Sequence, residues 1–310
     1  MTTWLILSRA IHIGACLLFF GILAFDRFIA SAKAQRTSEM TDYWQARVRS
    51  IGLILLPLIL ISGAAWFVLV AMAMSGQSLQ MDVLKTVWEQ TLFGAVWKIR
   101  LLFFLIAIVA TALSSFIKSK NLQIKFLLWF QLTLNGCLLG SLAWAGHGQE
   151  SSPWHLFADV LHLLGAGFWP AGLLPLFLLL RKSRQLANKT DWLSMAELVN
   201  RFSTMSLAAV ALLVITGFVN SWFLVGSIPN LFEQPYGRWL LIKIVFFCVS
   251  LSIAAVNLLR LKPRLLVENS AEMSKTTVVQ LQRNVQIELF LGLAIVIVVA
   301  VLGILPPAIH

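Results

Sequence analysis

Three of the chain's five histidines fall in one short stretch, "GHGQESSPWHLFADVLHLLGAGFW" at residues 146–169, together with Asp159. His155, Asp159 and His162 are spaced i, i+4, i+7, so a helix would carry them on one face. Ser152 followed by Pro153 reads as the cap and first residue of that helix. His147 lies about two helix turns earlier, on a glycine-flanked loop that can fold back. Imidazole nitrogens bind transition metals, and a carboxylate such as Asp159 can hold the second nitrogen of a ligating histidine. The pattern predicts a metal site built on His147, His155 and His162.

The elements that must position this set are membrane helices. The chain has 310 residues, 59% hydrophobic and 12% charged, with a mean hydropathy of +0.85. A helix spans the hydrocarbon core with about 20 apolar residues, and such runs recur at 4–29, 51–74, 94–117, 124–145, 154–180, 202–225, 238–259 and 284–305. The expected fold is all-α: a polytopic membrane protein of eight transmembrane helices in a single domain over 1–310. The alternating ten-residue segments of a β-barrel are absent from the sequence. The first run has no basic flank and is too long for a signal peptide, so it is expected to stay as a helix. Cys16, Cys137 and Cys248 all sit in apolar runs and define no disulfide framework.

The net charge of +11 comes from 24 Lys+Arg against 13 Asp+Glu. Eighteen of the 24 basic residues fall in the loops after the odd-numbered runs; Arg9, Lys85, Lys98, Arg100, Arg238 and Lys243 are the exceptions. The positive-inside rule then puts those loops in the cytoplasm and both termini outside, in a bacterial inner membrane. The charge needs no nucleic-acid partner; the lipid bilayer accounts for it. All five histidines fall in the outer half, with His12 and His162 about 12 Å deep at 1.5 Å per residue. His310, at the chain's last position, carries no assigned role.

The chain reads as an internal duplication, 1–146 and 147–310, of four spans each. "LSRAIHIGA" (7–15) aligns with "FADVLHLLG" (157–165), which pairs His12 with His162 and Arg9 with Asp159. "LISGAAW" (60–66) aligns with "VITGFVN" (214–220), and "EQTLFGAVWKIR" (89–100) with "EQPYGRWLLIKI" (233–244), which pairs Arg100 with Lys243. Spans 4 and 8 match weakly. Four spans per copy preserve orientation, so the repeats should be parallel and related by a pseudo-two-fold along the membrane normal. His12 and His162 would then lie at equal depth, facing each other across that axis.

Ionisable groups inside a membrane are costly and mark function, so His12 joins the metal set. Cys16, one turn below it, and Cys137 add thiols, which with imidazole suit copper(I) or zinc, while Met72 and Met74 near Met81 add thioethers, which select copper(I) over hard cations. Arg9 and Asp159 can pair across the axis. Arg100 and Lys243 can snorkel to headgroups or pair with carboxylates. Few polar groups beyond Glu288 and Asn257 mark an inner path. The outer stretch 77–92 and the inner stretch 191–201 read as helices lying on the membrane. Two histidines on different helices are also how a b-type haem is held, so His12 and His162 can be axial ligands. There is no HExxH, no phosphate loop and no hydrolytic triad, so the reading is not an enzyme.

"WAGHG" (144–148), "DVLHLLGAGFWPAGLLPL" (159–176), "ITG" (215–217), "YGRWLLIK" (236–243) and "LGILPP" (302–307) together resemble the copper resistance protein D (CopD) family of bacterial inner-membrane proteins. The resemblance runs along nearly the whole chain. It implies an eight-span bundle that takes part in moving copper from periplasm to cytoplasm, and it carries the family's histidines onto His147, His162 and His12. It also implies a small periplasmic copper-binding partner of the CopC type, expected here as a separate chain. Three functions therefore compete: a copper transporter, a haem cytochrome, and a factor that hands copper to another membrane protein.

Overall fold

The computed structural model describes residues 1–30, 38–76, 79–116, 122–146, 152–185, 189–267 and 271–309. Regular structure among them is helical: α1 (Thr2–Ala24), α2 (Ser38–Ser75), α3 (Met81–Gln90), α4 (Leu92–Phe116), α5 (Leu122–Gly140), α6 (Pro153–Phe168), α7 (Leu173–Ser183), α8 (Lys189–Val225), α9 (Ile228–Glu233), α10 (Pro235–Val256), α11 (Lys262–Val267) and α12 (Ala271–Leu302). Eight helical stretches are long and apolar enough to cross a membrane, as the hydropathy predicts. A helix closes all its backbone hydrogen bonds within itself, which hydrocarbon demands. α1 begins and α12 ends at one face of the bundle, the terminal face; the opposite face is the loop face.

At the loop face the helices run past their apolar cores. α2 begins at Ser38 and α12 at Ala271. The stretch 191–201, expected to lie on the membrane, is instead the first part of α8, which begins at Lys189. An i,i+4 pair between Arg201 and Glu197 supports that helix in water. At the terminal face the amphipathic helix expected within 77–92 forms over Met81–Gln90, as α3, with Val87 buried and Trp88 edge-on to Phe67 at 5.6 Å.

The fifth span is broken. α6 stops at Phe168 and α7 starts at Leu173, because Pro170 has no amide hydrogen to continue the ladder. One last α-helical bond, Trp169 N–H to Gly165 O at 3.0 Å, is followed by a wider turn in which Ala171 N–H donates to Ala166 O at 3.3 Å.

α1, α5, α6–α7 and α12 form the middle of the bundle. α1 packs on α2, α5, α6 and α12, while α6 packs on α8, α5 and α1. α4 pairs with α5, and α10 with α12. Membrane helices associate through close backbone approach at small residues. Gly21 of α1 is such a point: a Cβ there would lie 2.6 Å from the Gly167 carbonyl oxygen and 2.7 Å from the Ala171 Cβ. Gly21→Val is expected to destabilise the purified protein by about 1–3 kcal/mol, seen as a lower unfolding temperature. Gly14→Ala, whose new Cβ would meet Val296 at an ordinary 3.7 Å, should leave that temperature unchanged.

Candidate functional site

His12 of α1 is buried against α2 and α4. Its Nδ1 lies 3.0 Å from Ile59 O and 3.3 Å from Ser62 Oγ. Ser62 gives its own hydrogen to Leu58 O at 2.5 Å, so its oxygen can only accept from the ring. The proton of His12 is therefore on Nδ1, and Nε2 carries the lone pair. That lone pair is taken: Arg100 Nη2 donates to Nε2 at 2.6 Å. Arg100 is fully buried and also donates to Leu138 O at 3.0 Å and Ser141 Oγ at 2.6 Å. It does not snorkel, because α4 turns it inward onto α1 and α5. Trp66 and Trp97 flank the imidazole, each with ring centroids 5.5 Å away, and Gly63 leaves room for its edge. Cys16 Sγ stands 3.7 Å from Nε2, and Arg100 reaches it at 4.0 Å.

His162 of α6 repeats this construction on α8. Its Nδ1 donates to Thr216 Oγ1 at 2.9 Å, and Thr216 gives its hydrogen to Leu212 O at 2.6 Å. The same logic fixes the proton on Nδ1. Gly217 stands beside the ring, as Gly63 does at His12. Here, however, no hydrogen-bond donor among the described residues claims Nε2, and the ring is half-buried. The Lys243 ammonium of α10 acts electrostatically on both His162 and Asp159 without an ion-pair contact.

The face predicted for α6 makes three rungs with α8. His162 meets Thr216, Asp159 accepts from Asn220 Nδ2 at 3.1 Å, and His155 stacks on Phe223 with centroids 5.2 Å apart. His155 is buried rather than at the outer surface, since this stacking turns it into the α6–α8 seam. Asp159 and Arg9 do not pair. Arg9 lies over the Trp66 ring at 4.6 Å and lines a cavity of about 340 Å³ with Met74. Met72 is half-buried and Cys137 exposed, neither near an imidazole contact. His147 and His310 lie outside the described residues.

The partners of the two imidazoles come from separate halves, so they do not share a site through these contacts. A haem between them would need both Nε2 atoms on one iron, and Arg100 holds the one on His12; the residues do not fit that group. No group of three or more His, Cys, Asp and Glu able to hold a metal occurs among the described residues.

Sequence reasoning missed the hydroxyl partners Ser62 and Thr216, although "ISG" and "ITG" align with the histidines in hand. It singled out Glu288 and Asn257 in the inner half but missed the polar clamp that each half builds there. Gln131 of α5 donates to Thr111 at 3.3 Å and Ser114 at 3.4 Å of α4, with Asn135 one turn on. Asn284 of α12 donates to Asn257 at 2.7 Å, which donates to Glu288 at 2.7 Å. The shared four-residue spacing, Gln131 with Asn135 and Asn284 with Glu288, was the available signal.

Comparison with known proteins adds the family. Residues 1–156 match "Copper resistance protein D-like, N-terminal domain", and residues 196–302 match "Copper resistance protein D". A copper resistance protein D of Pseudomonas syringae pv. tomato is 30% identical over 259 residues, covering 80% of this chain and 78% of that one. The copper transport protein CutJ of Bacillus subtilis (strain 168) is 28% identical over 310 residues, covering 96% of this chain and 52% of that one, so the chain spans about half of CutJ. An eight-span bundle matched along nearly its whole length in this way belongs to the copper resistance protein D family.

Proposed function

We propose that the protein binds copper at the terminal face and moves it from the periplasm to the cytoplasm along the seam between α6 and α8. The basic residues concentrated in the loop-face segments support a periplasmic terminal face and an inner-membrane location. Copper is cargo here. His162 offers an imidazole lone pair within the membrane that no donor claims, with Asp159 one turn above it and His155 a further turn towards the periplasm. His147 is proposed to start the path. His12 is its counterpart in the first half, locked by Arg100. Cys16 then becomes a reserve ligand, while Cys137, Met72 and Met74 have no neighbours that favour a ligand role. The two halves are proposed to be copies of one four-helix unit, supported by the matching His–hydroxyl–carbonyl chains through Ser62 and Thr216. A separate periplasmic copper carrier of the CopC type would load the terminal face.

The observation that carries this reading is the unclaimed Nε2 of His162, held in one tautomer, in a chain of a copper resistance family. Purified protein is expected to retain copper on elemental analysis and to show no Soret band. Proteoliposomes holding a copper-sensitive dye should take up the metal. Bound copper with no uptake would replace transport by delivery to another protein; no bound copper would overturn the proposal.

A further inference from the structure

Glu288 lies on α12, on the loop-face side of the bundle, and is 1% exposed. Its Oε1 accepts from Asn257, while its Oε2 has no partner. Asn257 in turn accepts from Asn284, and Asn284 lines a cavity of about 320 Å³ with Gln280, Arg283 and Leu261. Two amides thus link the cavity to a buried carboxyl. The wall beside it is the π turn Asn257–Leu261, a local widening of the helix of the kind that collects at functional sites.

Among the described residues no cation is ion-paired with this acid. The charged groups on α12 and on the elements packed against it are, towards the loop face, Arg283 on α12, Arg260, Lys262 and Arg264 after α10, Arg181 and Lys182 on α7, and Glu197 and Arg201 on α8; Arg238 and Lys243 of α10 and Arg9 of α1 lie towards the terminal face. None is hydrogen-bonded or ion-paired to Glu288. An isolated carboxylate in hydrocarbon is costly and, where it persists, functional. Packing does not require it. In the first half an amide, Gln131, ties α5 to α4, and Asn135, at the same spacing as Glu288 from Asn284, donates to Gln131 O within its own helix. A carboxyl adds one ability that an amide lacks, the reversible binding of a proton.

We propose that Glu288 is a proton-binding site open to the loop face through the Asn284 cavity, and that its proton leaves when a cation arrives. The exchange balances: the carboxylic O–H breaks, the proton passes out through the cavity, and the carboxylate left behind neutralises the incoming charge. The coupling to copper rests on the transport reading; the proton site itself does not.

Dicyclohexylcarbodiimide, which condenses with protonated carboxyls in apolar surroundings, tests the site on the full-length protein in vesicles. Mass spectrometry is expected to find an adduct at Glu288, and none at that position in Glu288→Gln. An aqueous carbodiimide should label it from the loop face and not from the terminal face. No adduct, or equal labelling from both faces, overturns the proposal. The wild-type result decides alone should the variant fail to elute as a single species. In proteoliposomes with a pH dye on the loop-face side, copper entry should release protons there in wild type and at least ten-fold less in Glu288→Gln. Copper entry with undiminished proton movement in the variant overturns the coupling. Absence of copper entry in wild type defeats the transport reading instead, leaving the labelling to judge the site.

Discussion

His162→Ala is expected to reduce copper accumulation in expressing cells to that of cells lacking the protein. The ring is the first membrane-embedded imidazole below His155 whose Nε2 no neighbour claims, so its removal interrupts the path at one point. Thr216→Val should do the same in milder form. It keeps the shape of the side chain and removes the oxygen that accepts from Nδ1 at 2.9 Å, so the ring can turn and exchange tautomers. Losing a hydrogen-bond partner behind a metal-ligating histidine costs about 10–100-fold in affinity. Thr216→Ser, which can still accept from the ring and donate to Leu212, should remain within about two-fold of wild type in a copper titration, against that 10–100-fold loss. Full copper accumulation by His162→Ala would remove the α6–α8 seam from the mechanism.

The eight helices were legible because hydrocarbon imposes length and apolarity on every span, and both can be counted along the chain. The depth of His12 and His162 follows from that count. Rotation about each helix axis does not. Arg100, near a membrane end by sequence, reads as a residue able to reach headgroups, yet the turn of α4 points it at His12 and Ser141. His155 has the mark of a surface residue at a helix start, yet it is buried in the α6–α8 seam, where it stacks on Phe223. The break at Pro170 was written in the sequence as a proline among glycines, but uniform hydrophobicity on both sides conceals it in any averaged window. Glu288 and Asn257 stood out as polar groups in an apolar inner half, but the clamps themselves escaped, because Gln131, Asn284 and Glu288 are unconnected along the chain until α4 and α10 supply their partners.

The locked state of the first half leads to the second large effect. His12→Ala is expected to destabilise the protein, because it takes away the acceptor of a fully buried guanidinium. A hydrogen bond to a charged group contributes about 1.5–3 kcal/mol, and the stranded donor adds its own desolvation cost. Arg100→Met removes the charge and keeps a long apolar side chain against Trp97. The double variant His12→Ala/Arg100→Met should therefore unfold at a higher temperature than His12→Ala alone, a coupling that double-mutant analysis reads directly. Arg100→Met by itself should also uncover Nε2 of His12 beside the Cys16 thiol, 3.7 Å away. Imidazole with sulfur is a soft ligand pair, so that variant should bind an additional copper(I) that wild type does not. If the single and double variants unfold at the same temperature, Arg100 does not depend on His12. If Arg100→Met gains no copper, the guanidinium is not what keeps the first half closed to metal.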